Sequence, residues 1–227
     1  MTPSKAQGLA RTILTLCVPI ILIAAPLYLL WRPAYLRFQY SRPSFPASVR
    51  FDDAERLRLS TTILRYTVGD ATREEMASMP TDKGETALLP TETQHLVDVG
   101  VVVQGIYTVG AVALALAVLS AIYLGRTSPS RLVKALRAGT VAILGFLLVV
   151  GLAALVDFDR FFTLLHGVFF EPGTWTFYYE DTLIQLYPLP FWTTAIMHLL
   201  TLMAVLAAVA LAIAQIVSQH ARSRGSR

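Results

Sequence analysis

Four stretches that contain no Lys, Arg, Asp or Glu limit what this chain can fold into: residues 13–31, 99–124, 138–156 and 191–217. Each reaches the length of about 17–25 residues at which a helix crosses the hydrocarbon core of a bilayer. Lipid offers no partner for backbone N–H and C=O groups, so a segment buried there satisfies them internally as a helix. The 55% hydrophobic composition has the same origin. The reading is an all-α membrane protein with four transmembrane helices and a small extracytoplasmic cap. Its segments are a lead (1–12), a first span (13–31), the cap (32–96), a second span (97–124), a loop (125–137), a third span (138–156), an aromatic segment (157–190), a fourth span (191–217) and a tail (218–227).

Charge orients these segments. Lys5, Arg11, Arg126, Arg131, Lys134, Arg137, Arg222, Arg224 and Arg227 flank the spans on one side, with no acid among them. All 15 acidic residues lie on the other side. The positive-inside rule then puts both termini in the cytoplasm and the cap outside, in the cell membrane. The net charge of +4 conceals this split. No nucleic-acid partner is expected, because the basic residues border membrane spans. The first span is read as an uncleaved signal anchor, since a cut after Ala25 would put Ile23 where a small residue is wanted. Pro19 and Pro26 should kink it or end it early. Cys17, the single cysteine, excludes an intramolecular disulfide and reads as a packing residue.

Along 32–96, three prolines (Pro33, Pro43, Pro46) suggest an extended opening. Asp52 or Asp53 then caps a helix to about Tyr66, with Leu59, Ile63 and Tyr66 on one face. Arg56 and Arg58 fall off that face. A short helix follows Thr72. A segment of this size buries little by itself, so it should pack on the aromatic segment. In the spans, alanines four apart (Ala111 with Ala115, Ala113 with Ala117; Ala204, Ala208, Ala212) suit close helix contact.

Residues 157–192 hold 12 of the 23 aromatic residues and five acids. A plain connector would be short, polar and rich in turn residues. Asp157 caps a helix over about 159–170, on which Phe162, His166 and Phe170 share a face. Glu171, Pro172 and Gly173 form a turn, 174–179 is extended, and Asp181 caps a last turn to Tyr187. Of the four histidines, His220 lies in the basic tail and His198 is inside the fourth span, where a hydrogen-bonded structural role fits it. His95 and His166 fall on the same side of the membrane. They are either two unrelated interfacial histidines or one acid–base pair. Asp98, three residues after His95, shares its helix face and orients the ring, or else caps the span.

There is no HExxH, CxxC, GxSxG, Walker or GxGxxG motif. His95, His166 and a carboxylate make no compact ligand set, so no metal and no cofactor is expected. Haem between His95, His166 and His198 is one alternative, which would make the chain an electron carrier. A non-catalytic membrane protein whose cap binds a partner is another.

Three blocks carry a resemblance: T-E-x-x-H-L-x-D-V at 91–99, D-F-D-x-F-F-x-x-x-H-x-x-F-F-x-x-G-x-W-x-F at 157–177, and D-x-L-I-x-L-Y-P at 181–188. Together they resemble the bacterial lipoprotein intramolecular transacylase family. The resemblance implies four spans with an extracytoplasmic cap. It also implies transfer of the sn-2 acyl chain of a membrane-anchored diacylglyceryl lipoprotein to that lipoprotein's own N-terminal cysteine amine. It assigns His95 and His166 as catalytic, and Phe162, Phe169, Trp175 and Phe177 as lining residues. The chemistry suits these residue types. An α-amine with a pKa of about 7.7–8.0 must lose a proton before it attacks, and a neutral histidine accepts one. Amine and ester belong to one substrate, so the protein's task is to bring them together in a chamber without water.

Overall fold

The computed structural model describes residues 4–225. Arg227 and the side chains of Arg222 and Arg224, three of the flanking cations, lie outside the description. Among the described residues the chain forms helices α1 (Lys5–Leu30), α2 (Pro33–Tyr40), α3 (Asp53–Thr67), α4 (Arg73–Ala77), α5 (Pro90–Thr127), α6 (Pro129–Val156), α7 (Phe158–Phe169), α8 (Thr182–Leu186) and α9 (Leu189–Gly225). The one β-type pairing described is an isolated bridge between Pro80 and Thr86. Helices α1, α5, α6 and α9 are long and apolar enough to cross a membrane. The protein is therefore all-α, with four candidate spans.

The chain divides into two compact units. The first comprises Met1–Leu27, Tyr107–Ala153 and Leu199–Arg227; the second comprises Tyr28–Ile106 and Ala154–His198. In the first unit the core joins Leu14, Cys17 and Leu22 with Ala113, Ala117, Ile143, Met203 and Ala207. Close approach depends on Gly139: a Cβ there would lie 2.7 Å from Val18 Cβ and 2.8 Å from the Thr15 carbonyl oxygen. Such contacts bring α1 against α6 where lipid supplies no hydrophobic drive between helices. Of the alanine rows, Ala113 and Ala117 are buried, but Ala111 and Ala115 are exposed. On α9 beyond residue 198 the buried positions are Met203, Ala207 and Ala214, whereas Ala204, Ala208 and Ala212 face out. Four-residue spacing marks a stripe on a helix but does not choose which stripe meets a neighbour. Large apolar residues such as Leu119, Val149 and Ile213 are exposed on the same helices, the surface a lipid-facing helix presents.

Pro19 and Pro26 do not end the first helix early: α1 runs on through both to Leu30. The expected extended run after Trp31 is instead helix α2, with Pro33 in its first turn. Proline loses nothing there, because the first N–H groups of a helix have no intrahelical partner.

The second unit builds its own core. Asp52 caps α3 by accepting from Glu55 N–H at 2.8 Å. Thr72 and Glu75 close a reciprocal capping box on α4. Leu59 and Ile63 are buried with Met76, Met79, Leu88 and Leu96, and Leu183 and Leu186 of α8 join them. Segment 32–96 thus shares one core with the segment that follows α7. Arg56, off the apolar face of α3, is nevertheless 2% exposed. Its guanidinium donates to the carbonyls of Pro46 and Gln185, each at 2.8 Å. It also lies 4.9 Å from the ring centroids of both Tyr40 and Phe45. The charge is tolerated inside because carbonyl dipoles and ring faces replace its water.

Candidate active site

His95 sits in the second turn of α5, and the turn before it is fixed by Glu92. The Glu92 side chain is fully buried. One of its oxygens accepts from Leu89 N–H at 2.8 Å and the other from Leu183 N–H at 2.7 Å. The carboxylate so ties the start of α5 to the start of α8. The Thr182 hydroxyl donates to the Ala87 carbonyl beside it. Burial raises the Glu92 carboxyl above its usual range, against the pull of the two N–H donors. Glu92 belongs to the 91–99 motif, which by itself assigns it no role. The signal was a carboxylate in the first turn of the helix that carries His95.

His166 sits on α7, whose N-terminus is capped by Asp157 accepting from Arg160 N–H at 3.0 Å. Its Nδ1 is 2.9 Å from the Phe162 carbonyl oxygen, one turn earlier. That oxygen only accepts, so Nδ1 carries the proton and Nε2 presents a lone pair. The imidazoles of His95 and His166 are stacked, 6.2 Å between centroids and 22° between planes.

Aromatic rings wall the pair. Phe162 is 3.9 Å from His166 and Trp175 is 4.8 Å from it. Phe177 is 5.5 Å from His95. Phe170 touches both imidazoles, at 4.9 Å from His95 and 5.5 Å from His166. Phe170 was missed as a lining residue, although its four-residue spacing from His166 had placed it on the same face. Phe169 points elsewhere. It is half exposed, and its described ring contact is with Phe170 at 6.3 Å. Asp98 accepts from Gln94 Nε2 at 3.1 Å. It acts on His95 through charge, and no hydrogen bond between the two is described. His198 is engaged away from the pair, with Nδ1 2.9 Å from the Tyr35 hydroxyl.

Burial, then the neighbouring His166, lowers the His95 pKa to about 4, with Asp98 pulling the other way. Burial also lowers that of His166, against the Phe162 carbonyl. Both imidazoles are therefore neutral at pH 7. Two buried polar atoms here have no hydrogen-bond partner, His95 Nδ1 and Trp175 Nε1. An unsatisfied buried group costs about 1–3 kcal/mol, so a pair of them beside His166 marks a place where a ligand completes the bonding. Among the described residues no group of three or more His, Cys, Asp or Glu stands close enough to hold a metal ion.

Four helices of spanning length mark a multi-pass membrane protein, and a histidine pair walled by aromatic rings gives it groups suited to acid–base chemistry. The family described as lipoprotein intramolecular transacylase Lit matches residues 11–192. The chain belongs to this family and is an enzyme of that kind. A relative from Aquifex aeolicus (strain VF5), described as an uncharacterized protein, is 27% identical over 187 residues, which cover 82% of this chain and 84% of that one. The structure of the membrane integral lipoprotein intramolecular transacylase Lit from Bacillus cereus has a TM-score of 0.82 to this chain. It is 17% identical, with 96% of this chain and 98% of that chain covered. The same protein with one histidine replaced by alanine gives 0.75, at 17% identity and 96% coverage of both chains. At that identity the likeness speaks for the fold.

Proposed function

We propose that the chain transfers the sn-2 acyl chain of a membrane-anchored diacylglyceryl lipoprotein to the amine of that lipoprotein's N-terminal cysteine, leaving a lyso-glyceryl group. The observation that carries the reading is the stacked pair of neutral imidazoles, one of which has its lone pair fixed by the Phe162 carbonyl.

His166 Nε2 takes the proton that the cysteine amine loses as it attacks the ester carbonyl. The C–N bond forms and the carbonyl oxygen becomes an oxyanion. Neutral His95 and the unpartnered Trp175 N–H are the donors at hand to stabilise that charge. The tetrahedral intermediate collapses, the C–O bond to glycerol breaks, and the His166 imidazolium returns its proton to the departing oxygen. No enzyme nucleophile is needed, because one substrate supplies both amine and ester. Phe162, Phe170, Trp175 and Phe177 keep out the water that would hydrolyse the ester. Both termini are cytoplasmic in this reading. The site is at the outer face, between a cap of residues 32–96 and the aromatic segment 157–190, where the bilayer delivers the substrate.

The test is expression in a bacterial host that lacks lipoprotein N-acylation, with mass spectrometry of lipoprotein N-termini. N-acyl, lyso-glyceryl termini are expected with the intact chain and not with His166→Ala. Termini that remain diacylglyceryl with a free amine would overturn the reading.

A further inference from the structure

A cavity of about 370 Å³ in the second unit has no part in the steps above. Thr91 and Gln94 of α5 line one side, Thr176 and Phe177 of the segment after Gly173 line the other, and Asp181 also borders it. Its volume falls within the range of about 300–1,000 Å³ that holds small ligands. Phe177 belongs to both places: it lines the cavity, and its ring lies 5.5 Å from that of His95.

Three observations say what fits there. The first is distance. Thr91 precedes His95 by one turn, about 6 Å along a helix, and an extended chain covers about 3.3 Å per residue. A peptide leaving the reacting cysteine reaches the cavity with its second and third residues. The second is the backbone. Gly173, with φ +86°, turns the chain. Beyond it, no described hydrogen bond engages the N–H or C=O groups of Trp175, Thr176 and Phe177. Backbone groups for which the protein itself provides no described partner are what a peptide strand pairs with. The third is charge. Residues 171–181 carry Glu171, Glu180 and Asp181 and no Lys or Arg. Among the described residues Arg50 reaches this segment, its guanidinium donating to the Glu180 carbonyl and the Thr182 hydroxyl.

We propose that this cavity is a peptide subsite. It takes the lipoprotein residues that follow the acylated cysteine, in extended form, and prefers neutral or basic side chains to acidic ones. The inference rests on the transacylase reading and deepens it: the histidine pair acts on the lipid end, and the cavity selects the peptide end.

The experiment compares three substrates with the full-length protein in detergent: diacylglyceryl-Cys-Ser-Lys-Lys, diacylglyceryl-Cys-Ser-Asp-Asp, and a diacylglyceryl-cysteine amide that lacks the peptide. Conversion is read by fragmentation mass spectrometry. Binding is read separately with N-acetylated forms of the two lipopeptides, which cannot react. The lysine peptide is expected to bind about three- to fivefold more tightly than the aspartate peptide. Thr176→Trp, which fills the cavity, should lower the kcat/KM ratio of peptide-bearing to truncated substrate by about tenfold. Thr91→Trp approaches the same space from the other wall and should do the same. Binding selectivity without conversion of any substrate would remove the transacylase reading and leave the peptide subsite standing. Conversion of all three at equal kcat/KM, with neither variant changing the ratio, would overturn the subsite and leave transacylation intact.

Discussion

The Nδ1 atom of His166 lies 2.9 Å from the carbonyl oxygen of Phe162 on the same helix. A helix carbonyl therefore decides which nitrogen of the imidazole is basic. The same turn brings the Phe162 ring to 3.9 Å from the imidazole, tilted by 35°. One residue of α7 thus sets the tautomer of the imidazole and lies against its ring.

The pair should behave as one unit in mutation. His166→Ala and His95→Ala are each expected to lower turnover by about 10²–10⁴-fold, the usual range for losing a general acid or base. The double variant should be little worse than either single one, since groups acting together lose activity non-additively. His220→Ala should retain activity. Conversion of a diacylglyceryl lipopeptide, followed by fragmentation, measures all four. A well-folded His166→Ala at near-normal rate would exclude His166 as the base.

Burial of His95 should also appear in stability. The folded pKa of about 4 lies below the ordinary 6.5. Between these values the unfolded chain binds a proton that the folded chain refuses, so stability falls as pH drops from 6.5 towards 4 and changes no further below. His166 acts in the same direction. Glu92 acts oppositely, because its folded pKa is raised. The quantity to measure is therefore the difference in thermal midpoint between the intact chain and His95→Gln, at pH 7.5, 6, 5 and 4. The intact chain should lose its relative stability progressively on acidification. A difference independent of pH would show that His95 is not buried in its neutral form.

Gly139 makes a packing prediction. Gly139→Ala forces a methyl into Val18 and the Thr15 carbonyl. Overpacking of this kind costs about 1–3 kcal/mol. Gly145→Ala, on the same helix with nothing within 4 Å of the added Cβ, should be neutral or slightly stabilising. Thermal unfolding in detergent separates the two, and equal effects would argue against close contact at Gly139.

Orientation is testable by single-cysteine labelling after Cys17 is replaced. A membrane-impermeant reagent added to intact cells should label Lys83→Cys and Gly173→Cys but not Arg131→Cys. Labelling at position 131 would reverse the topology.

The sequence by itself determined the four spans, a helix capped at Asp52 or Asp53, a short helix after Thr72, a helix capped at Asp157, and the placing of His166 among aromatic residues. These features are local. A charge-free run of spanning length has one solution in lipid, and a capping side chain acts within three residues of itself. The pairing of the histidines came from motif resemblance, since 71 positions separate them and no periodicity spans that distance. Tertiary structure alone decided which alanine stripe of α9 is buried and that Arg56 lies inside. It also decided that Phe170 lines the site while Phe169 does not, and that Asp98 bonds Gln94 and not His95. Each of these depends on which face of an element meets another, and that is set by shape fit and by partners for buried polar groups. Glu92 is the clearest case. Its charge predicts a solvated first turn, but the N–H groups of Leu89 and Leu183 give a buried carboxylate the bonds that water would otherwise provide.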